Sequence, residues 1–278
     1  MDVSDLLRLR YHWASYRSVL YRINMKKIVE KLCGTLIASC QALPPSPMAT
    51  PEIMAAVALS AVNSGAKGIR ACWPENIRAI KNVVDVPVIG INKVIPENQI
   101  MLPDRVYITP TFESAREIIE AGADILGMDL TPRGRSYDDI ENLLHQIKDA
   151  YPDIVIMADI STVEEGIKAQ QLGVDIVSTT LSGYTMQSMV KVENFEELLT
   201  EYKATGIIPE TDPDYRIIRE LKESIHIPIN AEGRIWEKSQ ALKAFESGCD
   251  MLTIGNAISA PDLITNRFVK ALKENGFI

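Results

Sequence analysis

The segment Gly122-Ala-Asp-Ile-Leu-Gly127 has three counterparts in the chain: Gly65-Ala-Lys-Gly-Ile-Arg70, Gly173-Val-Asp-Ile-Val-Ser178 and Gly248-Cys-Asp-Met-Leu-Thr253. In each segment a glycine of the kind that ends a helix stands directly before a short run of β-forming residues. The first two spacings between these glycines are 57 and 51 residues, and the third is 75. A period of this length fits a repeated βαβα unit, and four such units close a barrel.

Eight β-rich runs alternate with stretches of helical pattern from residue 33 onward, and their apolar character is nearly continuous. Such runs are typical of parallel strands that helices cover on both faces. The alternation predicts an α/β fold, a single (β/α)8 barrel over residues 25–278. Its strands are predicted at Gly34–Cys40, Lys67–Cys72, Pro87–Lys93, Asp124–Asp129, Ile154–Asp159, Asp175–Thr180, Ile227–Glu232 and Asp250–Gly255.

Two segments lie outside this repeat. Residues 1–24 are interpreted as an N-terminal extension, either an appended helix or the product of a start codon placed before the true start at Met25. The long third spacing places about 20 surplus residues at 186–213, after the sixth strand. This insertion is expected to form an extra helix or a lid over the barrel mouth, and an inert insertion is the alternative.

Composition and charge exclude several classes of function. The 278 residues include 29 basic and 37 acidic side chains, a net charge of −8, so binding to nucleic acid or to an anionic membrane surface is not expected. No apolar run approaches the roughly 20 residues that span a bilayer. Four separated cysteines indicate reduced thiols, and we expect a cytoplasmic protein. Three scattered histidines predict no metal site, and no glycine-rich nucleotide fingerprint occurs.

Polar residues end most of the predicted strands, and in a barrel of this kind the carboxyl ends of the strands face the active site. Lys93 and Glu232 could transfer protons there, because partial burial lowers the pKa of a lysine and raises that of a glutamate. A structural ion pair between them is the alternative. Asp159 could orient Lys93 or accept a substrate hydroxyl, with a cap or a salt bridge as the alternative. Arg70, interpreted as unpaired, suits an anion or a carbonyl oxygen.

Two glycine-containing turns follow the seventh and eighth strands, Ala231-Glu-Gly-Arg234 and Ile254-Gly-Asn-Ala257. Barrels of this type commonly bind phosphate at these turns through backbone amides, and glycine lets the backbone approach the ligand closely. A tight turn without a ligand is the alternative. Together with the strand ends, these turns indicate acid/base chemistry on a small phosphorylated molecule, with neither metal nor cofactor.

Seven blocks of the sequence resemble, in the same order, the bacterial N-acylmannosamine-6-phosphate 2-epimerases: Ser39–Pro44, Gly68–Ala71, Gly90–Lys93, Tyr107–Thr111, Met157–Thr162, Thr179–Thr185 and Ala231–Ile235. The resemblance spans roughly residues 28–275, and seven blocks in the same order make it specific for this family. It implies a cofactor-free (β/α)8 barrel that interconverts N-acetylmannosamine 6-phosphate and N-acetylglucosamine 6-phosphate in sialic acid catabolism. A homodimer is also expected from it.

The resemblance further implies roles for nine residues at the barrel mouth. Two would transfer protons (Lys93 and Glu232), four would position the sugar (Gln41, Arg70, Asp159 and Arg234), and three would hold its phosphate (Gly233, Gly255 and Asn256). The sequence departs from the family pattern at three places. Val94 replaces the usual Arg after the lysine, Cys72-Trp73 replaces Asn-Gly, and Ala260 replaces an Arg expected to contact phosphate.

Two other functions stay compatible with these residues. A divergent barrel could bind a sugar phosphate without turning it over, which the loss of an arginine at Ala260 favours. Alternatively, Lys93 could form a Schiff base in an aldolase or isomerase built on the same fold. The retained Lys93 and Glu232 favour proton transfer at a sugar carbon.

Overall fold

Eight parallel strands form a closed barrel in chain order, with the first strand paired to the eighth. The structure is a computed structural model that describes residues 27–97, 102–189 and 212–278. All eight strands lie within the predicted runs, which confirms the (β/α)8 barrel. The strands are β1 Leu36–Cys40, β2 Gly68–Cys72, β3 Val88–Ile91, β4 Ile125–Asp129, β5 Val155–Asp159, β6 Ile176–Ser178, β7 Ile229–Glu232 and β8 Met251–Ile254.

Helices follow the strands and cover the outer face of the barrel. The first long one begins where Thr50 accepts a hydrogen bond from the backbone N–H of Ile53 and Pro51 occupies the first helical position. Residues 27–32 form α1, ahead of the first strand. The later helices are α2 Pro51–Asn63, α3 Pro74–Lys81, α4 Phe112–Glu120, α5 Tyr137–Ala150, α6 Val163–Gln171, α7 Met186–Met189, α8 Tyr215–Ser224, α9 Lys238–Glu246, α10 Asn256–Ser259 and α11 Pro261–Glu274.

The interior of the barrel has two unlike halves. Its amino-terminal half is apolar, and Leu32 of α1 packs into it with seven inward side chains: Ile37, Ile89, Ile125, Val155, Met157, Ile176 and Met251. The half nearer the carboxyl ends is polar although equally buried, and it contains Ser39, Arg70, Asp159, Ser178, Asn230 and Thr253. Because buried polar groups are costly unless they are hydrogen-bonded, this polar layer marks the functional end of the barrel.

The two segments outside the repeat fall mainly on residues that the structure does not describe. The extension at 1–24 lies wholly outside the described residues. Of the insertion at 186–213, only the short helix Met186–Met189 and residues 212–213 are described. Both assignments stay predictions. In the described part of the chain, no helix is both long enough and apolar enough to cross a membrane.

Candidate active site

Three charged side chains from different strands meet at the carboxyl ends of the barrel. Arg70 of β2 donates from Nη1 to Asp159 Oδ1 (3.0 Å) and from Nη2 to Asp159 Oδ2 (2.6 Å). Its Nη1 also lies 2.9 Å from Glu232 Oε2. The guanidinium is fully buried, as is the Asp159 carboxylate. Asp159 therefore forms the salt bridge that was the structural alternative for it, and a bidentate one.

The interpretation of Arg70 as unpaired is wrong. Inward residues of different strands lie at the same height in the barrel, so the arginine reaches both carboxylates across the interior. Burial alone would lower the pKa of Arg70, but the charges of Asp159 and Glu232 raise it above its ordinary value. Arg70 donates three hydrogen bonds to these carboxylates, so its main role is to hold Asp159 and Glu232 in place.

The Glu232 carboxylate is anchored through one oxygen. Oε2 lies within hydrogen-bond distance of Arg70 Nη1 (2.9 Å), Thr180 Oγ1 (3.0 Å), Ser178 Oγ (3.4 Å) and Asn230 Nδ2 (3.4 Å). No side chain among the described residues donates to Oε1. The side chain is 12% exposed. Oε1 is thus the oxygen free to meet a substrate.

Burial raises the pKa of Glu232 above its ordinary value of 4.5. The positive charge of Arg70 opposes this rise, and the negative charge of Asp159 adds to it. The hydrogen bond from Thr180 and the charge of Lys93 favour the ionised form. A glutamate shifted upward in this way can carry a proton closer to neutral pH, which is what a general acid requires.

Lys93 lies just beyond β3, in an environment with far fewer polar partners. Its backbone pairs with Ile108 in an antiparallel bridge, and its carbonyl oxygen accepts a hydrogen bond from Trp73 Nε1 (3.0 Å). Within the described residues its ammonium forms no salt bridge, and the partner of Glu232 is Arg70. The alternative of a structural Lys93–Glu232 ion pair is therefore wrong.

Burial also shifts the pKa of Lys93, in the opposite direction to that of Glu232. Desolvation lowers it below the ordinary 10.5, and the nearby charge of Arg70 lowers it further. The Cys72 thiol, Glu232 and Asp159 partly oppose this shift. A lysine with a lowered pKa is neutral in a larger fraction of molecules and so can act as a base.

Trp73 adopts a backbone conformation that is rare for any residue with a side chain. Its φ is 73°, in the left-handed region that favours glycine. This is the position at which the resemblance to the epimerase family implies glycine. The indole packs on a small apolar cluster beside Lys93, and this packing together with the bond to the Lys93 carbonyl compensates the strain. The cluster consists of Cys72, Ile91, Ile108 and Leu181.

Two other predicted sugar-binding residues lie at the ends of β1 and β7. Gln41 donates from Nε2 to Ser39 Oγ (2.7 Å), while its Oε1 is buried without a hydrogen-bond partner. Such an orphaned acceptor is suited to a ligand hydroxyl or amide. Arg234 lies with its guanidinium carbon 5.8 Å from the centre of the Tyr184 ring. A methyl group added at Gly183 would lie 1.9 Å from its Nη1, so this glycine leaves room for the arginine.

The predicted phosphate-binding residues lie at the carboxyl ends of the adjacent strands β7 and β8. Gly233 has a φ of 112°, which a side chain rarely permits. Gly255 directly precedes the exposed Asn256, the first residue of α10. Ala260, at the position where the resemblance implies an arginine, is buried after that helix. This arrangement leaves the role of the two turns in phosphate binding a prediction.

Sequence reasoning missed the polar residues beneath Glu232. Asn230 and Thr253 sit inside apolar strands, and Ser178 ends β6. Asn230 stands two residues before Glu232, so both side chains must point to the same face of β7. That spacing was the available signal.

No group of three or more histidine, cysteine, aspartate or glutamate side chains converges to ligate a metal ion within residues 27–97, 102–189 and 212–278. The expectation that neither a metal nor a cofactor takes part stays a prediction.

Comparison with known proteins identifies the family. A family model described as "Putative N-acetylmannosamine-6-phosphate epimerase" matches residues 54–208 and 198–274. The chain belongs to this family. One member, the "Putative N-acetylmannosamine-6-phosphate 2-epimerase" of Caldanaerobacter subterraneus subsp. tengcongensis, is 44% identical over 255 residues, which cover 90% of this chain and 96% of its own. A protein of the same name from Listeria monocytogenes is 37% identical over 248 residues, 89% of this chain and 98% of its own.

A solved structure of this epimerase family matches the same fold. The N-acetylmannosamine-6-phosphate 2-epimerase from Clostridium perfringens superimposes with a TM-score of 0.74 at 34% sequence identity. The match covers 88% of this chain and 96% of that one. The resemblance drawn from the seven sequence blocks is therefore confirmed.

Proposed function

We propose that this epimerase-family chain interconverts N-acetylmannosamine 6-phosphate and N-acetylglucosamine 6-phosphate by proton removal and return at carbon 2. One observation supports this proposal above the others. Lys93 and Glu232 reach the same end of the barrel with their pKa values shifted toward each other, and they are not paired with one another. Two titratable groups whose pKa values are shifted toward each other are suited to act as base and acid.

The chemistry follows from the open-chain form of the sugar, in which the neighbouring aldehyde acidifies the hydrogen on carbon 2. The neutral amine of Lys93 takes this proton, and the electron pair of the C–H bond moves to the aldehyde oxygen as an enolate. Glu232, in its acid form, returns its own proton to the opposite face of carbon 2. The reverse reaction exchanges the two roles, and no electrons are gained or lost.

Arg70 supports this step indirectly. Its guanidinium keeps Asp159 and Glu232 in place and sets a positive charge close to the enolate without releasing either carboxylate. Gln41 and Arg234 are proposed to hold the hydroxyl and acyl groups of the sugar. Gly233, Gly255 and Asn256 are proposed to receive the phosphate.

Two alternative functions are less well supported. Family membership favours an epimerase over a barrel that only binds a sugar phosphate, and over a Schiff-base aldolase or isomerase. Borohydride reduction in the presence of substrate distinguishes the latter, because it would trap a covalent adduct on Lys93. No adduct is expected.

Proton NMR in heavy water tests the proposal directly. The purified protein should convert N-acetylmannosamine 6-phosphate to the gluco epimer with deuterium at carbon 2. Lys93→Met and Glu232→Gln should each abolish net epimerisation, whereas Lys81→Met and Glu220→Gln, at surface pairs, should leave the rate unchanged. Absence of both exchange and epimer with the unaltered protein would refute the proposal.

A cytoplasmic location, a homodimer and a place in sialic acid catabolism extend this proposal. Sedimentation velocity at micromolar protein concentration tests the dimer, and a single monomeric species would contradict it.

A further inference from the structure

A chain of hydrogen bonds crosses three strands beneath the candidate site. Thr253 Oγ1 of β8 donates to Asn230 Oδ1 (2.9 Å), and Asn230 Nδ2 donates to Ser178 Oγ (2.7 Å). Ser178 Oγ lies 2.7 Å from Thr180 Oγ1. Thr253, Asn230 and Ser178 are almost fully buried, so each bond forms away from water. A buried row of polar side chains is stable only when each of them has a hydrogen-bond partner.

The contact distances and the acceptors at its end set the direction of the chain. The amide nitrogen of Asn230 can only donate, so Ser178 Oγ accepts from it, and the hydrogen of Ser178 goes to Thr180 Oγ1 at 2.7 Å in preference to Glu232 Oε2 at 3.4 Å. Thr180 then has one hydrogen left. Its Oγ1 lies 2.7 Å from Asp159 Oδ1 and 3.0 Å from Glu232 Oε2. The opposite direction would set the lone pairs of Thr180 against both carboxylates.

The last hydrogen of the chain, on Thr180 Oγ1, is therefore shared between two acceptors, Asp159 Oδ1 at 2.7 Å and Glu232 Oε2 at 3.0 Å. On Glu232 it reaches Oε2, the oxygen that Arg70 also binds, and not Oε1. Arg70 and Thr180 make the two shortest of the four donor contacts to this oxygen, and together they fix the orientation of the carboxylate. They also stabilise its negative charge, because hydrogen bonds to an ionised group favour the ionised form.

We propose that Thr180 is a positioning residue for Glu232: its hydroxyl, oriented by Ser178, Asn230 and Thr253, holds Oε2 so that Oε1 faces the substrate. This inference rests on the proposed function of Glu232 as a proton-transfer group. Thr180 makes no contact with the reacting atoms in this scheme. Its effect passes through the orientation and the ionisation of one carboxylate.

Several charged groups face Glu232 from the neighbouring strands and loops. Arg70 on β2 donates to Glu232 Oε2, Asp159 on β5 accepts from Thr180, and Lys93 follows β3. The Tyr184 hydroxyl, after β6, also interacts with the Glu232 charge. Removal of the Thr180 hydroxyl retains each of these charged groups and deletes its hydrogen bonds to Glu232 Oε2 and Asp159 Oδ1, so a change in the ionisation of Glu232 reports the loss of these bonds.

The test is a carbon-13 NMR titration of the Glu232 carboxyl carbon, which is assigned by its absence in Glu232→Gln. In Thr180→Val, which keeps the shape of the side chain, we expect the titration midpoint to rise by about one pH unit, a tenfold change in proton affinity. Thr180→Ser should restore the midpoint. Ser178→Ala interrupts the chain but keeps Thr180, and should cause a smaller rise. Thr35→Val is the matched control, since Thr35 donates to Leu32 O at the opposite end of the barrel.

An unchanged or lowered midpoint in Thr180→Val, or no recovery in Thr180→Ser, would overturn the inference, as would an equal shift in Thr35→Val. Epimerisation rates across pH provide the second readout. The acid limb of kcat/KM should move upward in Thr180→Val and return in Thr180→Ser. If the unaltered protein shows no epimerisation, the proposed function fails, while the titration still decides the role of Thr180.

Discussion

The two proton-transfer candidates lie in opposite walls of one barrel. Glu232, on the β5–β7 wall, is held by an arginine, a hydroxyl and an amide, whereas Lys93, on the β3 wall, borders an apolar cluster and forms no salt bridge within the described chain. Burial acts on both, raising the pKa of Glu232 and lowering that of Lys93. Burial therefore brings the acid and the base toward the same pH: it raises the pKa of Glu232 even against the positive charge of Arg70, and it lowers that of Lys93, which has no salt bridge within the described residues to oppose it.

The largest effect is expected from replacing Arg70, the β2 residue that binds both Asp159 and Glu232 across the barrel interior. Arg70→Leu leaves Asp159 and Glu232 buried without a counter-charge, which should lower the free energy of unfolding by about 3–5 kcal/mol. Urea denaturation measures it. Arg216→Leu, at an exposed pair with Glu220 (2.9 Å), should change it by less than about 1 kcal/mol. Similar losses of unfolding free energy in both variants would show that the salt bridges of Arg70 with Asp159 and Glu232 stabilise the fold no more than an exposed ion pair does.

Removing the charge of Lys93, on the opposite side of the barrel from Glu232, should raise the free energy of unfolding instead of lowering it. Lys93→Met keeps the length of the side chain and eliminates a partly buried cation that has no salt bridge within the described residues, so it should stabilise the fold at neutral pH by about 0.5–2 kcal/mol while abolishing epimerisation. A loss of stability in this variant would mean that the ammonium has a partner that stabilises it.

The lowered pKa of Lys93 also predicts how the stability of the fold depends on pH. Because the pKa of Lys93 is lower in the folded state than its unfolded 10.5, the unfolded chain binds more protons between these two values. The unaltered protein should therefore gain stability as pH rises through that window. Lys93→Met should lack this gain, and parallel stability curves for the two proteins would contradict the shift.

The sequence predicted the barrel and the strand ends because each signal was local. A glycine before a strand and an apolar run of fixed length need no knowledge of the rest of the chain, so Lys93 and Glu232 were correctly placed at the mouth. The pairing of Arg70 was beyond reach, because it depends on which strands face each other across the interior. The left-handed backbone of Trp73 was likewise beyond reach, because a tryptophan carries no local signal for a conformation that favours glycine.

The smallest effect is expected at Trp73, which packs on the apolar cluster beside Lys93 and donates a hydrogen bond to its carbonyl oxygen. Trp73→Phe keeps an aromatic ring but removes the donor to the Lys93 carbonyl, which should cost about 1 kcal/mol of unfolding free energy. Trp236→Phe is the control, since the ring of Trp236 stacks under the Arg267 guanidinium at 4.3 Å. A larger loss in the control would indicate that the indole bond contributes little to holding Lys93.

The most direct measurement follows deuterium entering carbon 2 of each epimer separately in heavy water. If Lys93 and Glu232 act on opposite faces of that carbon, Lys93→Met should still exchange the hydrogen of one epimer and Glu232→Gln that of the other, although neither converts one sugar into the other. Loss of both exchanges in Lys93→Met with both retained in Glu232→Gln would contradict the account, because a single lysine would then serve both faces.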